Sequence, residues 1–249
     1  MPIEAIEPRR LYRQIADQLR QLIDRGEYPV GSRLPTERTL ADLLGVSRPT
    51  VREALIALEV EGRVRIRVGS GIYVANPAQA AHVFADSRIE GPFEILRARK
   101  FIESAVAEEA ARLASDRDIA RLDAVLRLVP AALREGDQFL SLDRSFHTAI
   151  AAILGNSVLE RSVGELFDLR INPYFERLAR HTEDESSRSA ALAEHIAIRD
   201  AIASRDPAAA RAAMGRHLQN SQSRFERDLG ETPDAAMKEE DPATRAAVA

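Results

Sequence analysis

Five histidines and no cysteine are available to this chain for metal or nucleophile chemistry. Asp143 and His147 stand four residues apart, the interval that puts two side chains on one face of a helix. His195 and His217 follow, each beside an apolar residue, Ile196 and Leu218. Three imidazoles and one carboxylate from three helices suffice to enclose a divalent ion. Zn, Ni, Mn or Fe would all suit, because this donor set discriminates weakly among them. Such an ion with an open coordination position also activates water, so a metal-dependent enzyme is a competing class. Against it, no further general base stands at a fixed spacing. The plainest alternative is that these histidines are hydrogen-bonded core residues. His82 and His181 read as surface residues. Without cysteine, disulfide frameworks, thiol catalysis and thiolate metal sites all drop out.

Arginine carries the second chemistry. Ser47-Arg48-Pro49-Thr50-Val51-Arg52 opens a helical pattern, with Arg48 and Thr50 in its first turn and Arg52 one turn after Arg48. The start of a helix offers unpaired N–H groups to phosphate, and an arginine fork matches guanine O6 and N7 in the major groove. Arg38 sits early in the preceding helical pattern, where a phosphate clamp would be useful. Gly69 and Gly71 flank Ser70 in a turn whose backbone could approach a groove with no side chain in the way. The alternative for Arg48 and Arg52 is an ordinary solvated helix face.

The elements that would position these residues fall into two parts. Before Asn76-Pro77, apolar spacing predicts three short helices: one through Leu11, Ile15, Leu19 and Ile23, one capped by Thr36 that buries Leu40, Leu43 and Leu44, and one capped by Ser47 and closed by Gly62. Val64–Val68 and Ile72–Val74 predict a hairpin. Two helices joined by Leu44-Gly45-Val46-Ser47, with a hairpin behind, make a winged helix-turn-helix pattern. Residues 92–229 contain no convincing strand; their periodicity predicts six helices with short connections, an all-α helical bundle whose interior suits a ligand. The last begins at Asp206-Pro207, a cap followed by proline in the first turn. The expected organisation is therefore mainly α: residues 1–75 a DNA-binding domain, 76–91 a linker, 92–229 a metal- and effector-binding domain, and 230–249 a disordered tail.

Composition agrees with this division. The 249 residues carry a net charge of −4, yet residues 1–75 hold 12 Arg, no Lys and 10 acidic groups. A basic head on an acidic body points toward a nucleic-acid partner. No apolar run approaches the roughly 20 residues of a membrane helix, and Met1-Pro2-Ile3-Glu4 lacks signal-peptide character, so the expected location is cytoplasmic.

Arg33-Leu34-Pro35-Thr36-Glu37-Arg38, Val46 through Leu55, and Leu58-Glu59-Val60-Glu61-Gly62 resemble the N-terminal domain of GntR-superfamily transcriptional regulators. That resemblance implies a winged helix-turn-helix binding a palindromic double-stranded DNA operator as a homodimer. It would place Arg38, Arg48, Thr50, Arg52, Gly69 and Gly71 at the DNA. The second part is similar to the FCD ligand-binding domain of the FadR-like subfamily: Asp143-Arg144-Ser145-Phe146-His147, Ala193-Glu194-His195 and Met214-Gly215-Arg216-His217-Leu218 fit its metal-binding branch. Asp143, His147, His195 and His217 would then be the metal ligands. Arg99, with Glu103 four residues on, matches an Arg-x-x-x-Glu whose arginine pairs with an organic acid.

A narrower similarity, to bacterial hexuronate-utilisation repressors, rests on Glu7-Pro8-Arg9-Arg10-Leu11-Tyr12, Gly91-Pro92-Phe93-Glu94 and Asn172-Pro173-Tyr174, among others. It implies a carboxylate effector, glucuronate, galacturonate or a derived aldonate; Arg170, Asn172, Tyr174 and Asn220 are candidates for its hydroxyls, with a structural role as helix residues the equal alternative for each. The expected function is a repressor released by that effector. A non-sugar acid such as lactate, or an activator, is the alternative.

Overall fold

The start of the chain's regular structure follows from its caps. In the computed structural model, which describes residues 10–67, 69–76 and 90–226, α1 (Leu11–Asp24) leads to α2 (Glu37–Leu44) and α3 (Arg48–Val60). Thr36 Oγ1 accepts from Thr39 N and Ser47 Oγ from Thr50 N, so both helices of the helix-turn-helix begin at the expected side-chain caps. Gly45 ends α2 at a φ of 65°, a left-handed conformation that glycine adopts without strain.

The hairpin is β1 (Val64–Arg67) and β2 (Gly71–Val74), antiparallel, with Val64 opposite Val74 and Ile66 opposite Ile72. The segment before α2 joins its edge: Leu34 N donates to Ile72 O and Gly31 N to Val74 O. Val68, residues 77–89 of the expected linker with His82, and the 230–249 tail lie outside the described residues.

The second part is helical throughout its described length. It comprises α4 (Pro92–Leu113), α5 (Asp116–Leu126), the single turn α6 (Val129–Ala132), α7 (Gly136–Ala152), α8 (Ser157–Asp168), α9 (Pro173–Thr182), α10 (Glu185–Ala203) and α11 (Pro207–Phe225). These are eight helices against the six expected. The extra turn is α6, and the apolar run from Leu159 to Phe175 is divided between α8 and α9. The division has a local cause: Pro173 has no N–H for a helix interior, and the Asn172 side chain accepts from Tyr174 N and Phe175 N as a new N-cap.

Three apolar clusters organise the packing. One, in the bundle, joins Ala107, Ala110, Phe146, Ile150, Val163, Ile198 and Met214; a small one joins Val129, Phe139 and Ala191. The largest unites the two parts, combining Tyr12, Ile15, Leu19 and the buried run of α3 with Phe93, Ile95, Leu96, Tyr174, Phe175, Leu178 and Phe225. Leu43, expected inside, is 73% exposed.

Candidate metal centre and DNA-reading face

Asp143 and His147 project from α7, His195 from α10 and His217 from α11, and all four are buried. One potential ligand atom from each lies within 4.8 Å of all the others. His147 Nε2 and His195 Nε2 each stand 3.2 Å from Asp143 Oδ1, and His195 Nε2 stands 3.3 Å from His217 Nε2. The Phe146 ring covers His195 at 4.6 Å between centroids, and Phe167 closes over His147 at 5.9 Å. The i,i+4 spacing on α7 and packing of α10 and α11 thus aim four donors at one point.

Whether a divalent ion fits can be tested on the polar atoms. Asp143 Oδ1 and His147 Nε2 are fully buried yet make no properly aligned hydrogen bond. Leaving such atoms unpaired is costly, and a cation between them removes that cost. The outer nitrogens of two rings are already held: His147 Nδ1 by Glu103, and His217 Nδ1 by Glu194 at 2.8 Å. This carboxylate–imidazole arrangement leaves Nε2 facing inward, as a metal ligand requires. The donor set and its surroundings fit an imidazole-binding divalent cation.

At three of the four residues electrostatics favour the form that binds a cation. Burial would raise the Asp143 pKa, but the His147 and His195 imidazoles beside it outweigh burial and hold the carboxyl well below its ordinary range. Burial, with the neighbouring His195 charge, lowers His217 to about 3, so its ring is neutral and a competent donor. Burial likewise lowers His195. His147 goes the other way: burial lowers it, but the Glu103 carboxylate wins.

Beside the cluster lies a cavity of about 20 Å3, lined by Arg99, Asp143, Arg170, Ser187, Arg188, His217, Ser221 and Arg224 among others. It has room for about one water molecule. Arg99 Nε donates to Glu103 Oε1 at 2.6 Å, and Arg170 Nη1 donates to Asp143 Oδ2 at 2.8 Å; both guanidiniums also sit over the Phe167 ring. Arg170 Nε is buried without a partner. A pocket with several guanidiniums next to a cation site suits an organic acid.

Of the five expected effector residues, Arg99 and Arg170 line this cavity, and the other three have different surroundings. Asn172 is the N-cap of α9, its side chain occupied by Tyr174 N, Phe175 N and Leu169 O. Tyr174 is 2% exposed in the core between the two parts, with Arg13 over its ring. Asn220 is exposed and donates to Glu194 at 2.9 Å, away from the cavity lining. Ser187, Arg188, Ser221 and Arg224 had no spacing signal, since loop and helix packing alone bring them to the cavity. His181, expected at the surface, is half-buried, its Nε2 2.7 Å from Glu59.

Of the residues expected at DNA, Arg38 is exposed, Arg48 and Thr50 are half-exposed in the first turn of α3, and Gly69 is exposed in the wing. Two candidates turn inward. Arg52 is 2% exposed: Nε donates to Glu37 Oε1 at 2.8 Å, Nη2 pairs with the other Glu37 oxygen, and Nη1 donates to Phe225 O at 2.8 Å. Its guanidinium ties α2 and the end of α11 to α3 instead of facing a groove. Gly71 is buried at a φ of 127°, and a Cβ there would strike the Arg33 guanidinium, so the wing presents Arg33 over this glycine.

Residues 11–74 match the family described as bacterial regulatory proteins, gntR family, and residues 94–220 match the FCD domain. The Exu regulon transcriptional regulator of Escherichia coli (strain K12) is 40% identical over 227 residues, covering 88% of this chain and 86% of that protein. The Uxu operon regulator of Haemophilus influenzae is 37% identical over 213 residues, covering 85% and 80%. Among solved structures, Streptococcus agalactiae GntR aligns with a TM-score of 0.45 and 28% identity, over 85% of this chain and 99% of that one. The relatives' names are those of transcriptional regulators, not of enzymes.

Proposed function

Since this chain belongs to the gntR family of bacterial regulatory proteins and carries an FCD domain, we propose that it represses sugar-acid catabolism, releasing DNA when a hexuronate binds beside a metal ion. That it is a DNA-binding transcriptional regulator follows from the family; the effector, the metal and the homodimer on a palindromic operator are the proposal. The observation that carries it is the convergence of Asp143, His147, His195 and His217 beside the Arg99 and Arg170 guanidiniums. The Exu and Uxu names of the relatives supply the hexuronate.

In this reading, Asp143 and the three Nε2 atoms hold the ion, which supplies an electropositive coordination point for a carboxylate or hydroxyl oxygen. Arg99 and Arg170 take the remaining carboxylate oxygens, and α9 carries the change to the head. That helix is bracketed by Arg170 and Glu183, which both line the cavity, while Phe175 and Leu178 pack in the core shared with α3. Arg38, Arg48, Thr50 and the wing at Gly69 contact DNA. Effector binding weakens operator binding, and by reciprocity operator DNA weakens effector binding by the same factor.

The test is operator binding by fluorescence anisotropy, using zinc-loaded protein and DNA from upstream of its own gene. Glucuronate, galacturonate, fructuronate, gluconate and lactate are titrated into the complex. Release by a hexuronate alone supports the proposal; release by lactate alone replaces the effector class. In the same assay Arg48→Ala is expected to cost about 1–3 kcal/mol on operator and less on random DNA. An equal loss on both would make Arg48 a phosphate contact.

A further inference from the structure

Four hydrogen bonds from three side chains of α11 end on one carboxylate, that of Glu194 on α10. His217 Nδ1 lies 2.8 Å from Oε2, Asn220 Nδ2 donates to Oε1 at 2.9 Å, and Arg224 Nη1 and Nη2 donate at 2.8 and 3.2 Å. Positions 217, 220 and 224 share one helix face, so Glu194 spans the last two turns of α11. It also directly precedes His195, placing it on the helix that supplies another candidate ligand.

Two consequences meet at this residue. Accepting from His217 Nδ1 selects the tautomer whose Nε2 lone pair points into the cluster. The same carboxylate accepts both Arg224 Nη bonds, so it ties the His217 ring to the end of α11. Beyond Arg224, the Phe225 carbonyl accepts from Arg52 of α3. His195 has no such support, since its Nδ1 is buried without a hydrogen-bond partner.

We propose that Glu194 is a positioning residue that orients His217 for the metal and, through Arg224, makes metal binding tighten the end of α11 on which α3 rests. This rests on the metal reading given above.

The experiment measures zinc affinity of the full chain by competition with a chromophoric chelator, for the unsubstituted protein, Glu194→Ala and Glu194→Gln. Removing the acceptor is expected to weaken zinc binding by roughly 10- to 100-fold. Glu194→Gln keeps an acceptor for Nδ1–H and is expected to fall between. Melting temperatures without zinc report the fold of each variant. Hydrogen exchange of the amides of residues 221–226 is followed in parallel: zinc slows it in the unsubstituted protein and leaves it unchanged in Glu194→Ala.

Equal zinc affinity in all three proteins would overturn the inference and leave the metal reading standing. Equal loss in both variants, with a lower melting temperature without zinc, marks a purely structural role and also overturns it. No zinc uptake by the unsubstituted protein would overturn the metal reading and this inference with it. Exchange at 221–226 that zinc does not alter removes the link to the head.

Discussion

Asn172 separates two roles that a side-chain amide can play, serving a ligand or serving a backbone. Its oxygen takes the first free N–H groups of α9 and its nitrogen donates to Leu169 O. Asn172→Ala is therefore expected to cost about 1 kcal/mol of stability, measured by denaturant unfolding, and to leave the effector concentration for half-release unchanged. A loss of response without a loss of stability would restore it to the effector site. The sequence showed the donor types well: Asp143 and His147 share a face by spacing alone, and His195 and His217 are brought to them. What it did not show is occupancy. Arg52 has the residue type and position of a DNA contact, yet Glu37 and Phe225 O, 15 and 173 residues away in the chain, consume its donors.

At the scale of elements, α3 is the informative case. Ala54-Leu55-Ile56-Ala57-Leu58 is apolar on every side, and the whole run from Val51 to Glu59 is buried. A helix apolar all round must be covered on both faces, so this run already called for a second covering surface, which α9 and the start of α4 provide. The acids within the run need partners there too. Glu53 Oε1 accepts from Phe93 N at the start of α4, and the fit is close enough that a Cβ on Gly91 would strike that carboxyl.

Burial, opposed by the Phe93 N–H and by Arg97 and Arg10 and assisted by Glu94, raises the Glu53 pKa from 4.5 to about 7. The protonated form is thus the better fit to the folded state. Its contribution is complete below the ordinary carboxylate range and is lost as pH rises through about 7. Melting temperature is expected to fall between about pH 5 and 8 by more in the unsubstituted protein than in Glu53→Gln. Parallel pH profiles of the two proteins would show that Glu53 does not titrate in this window. Element boundaries followed the same logic: caps at Thr36, Ser47 and Asp206 were legible, whereas the break before α9 was hidden because Leu159, Val163, Leu166 and Phe167 keep helical spacing up to it.

For the whole molecule, the division into a small arginine-bearing part and a helical part was legible from charge and periodicity. How the two meet was not, because the uniting core draws on residues from α1 to α11 that no local pattern connects. No described helix is long and apolar enough to cross a membrane. The cavity beside the Asp143, His147, His195 and His217 cluster has a consequence for time, not affinity. At about 20 Å3 it admits about one water, so on the proposed reading the cavity has to widen before a six-carbon acid enters. Opening then becomes a step of its own, with a rate that no amount of ligand can raise. Stopped-flow release of labelled operator should accelerate with hexuronate and then reach a plateau equal to the opening rate. A rate that keeps rising in proportion to hexuronate would mean the door already stands open. On the proposed reading, the delay before the regulator answers a sudden supply of sugar acid in a cell would be set by that opening, and a larger supply would not shorten it.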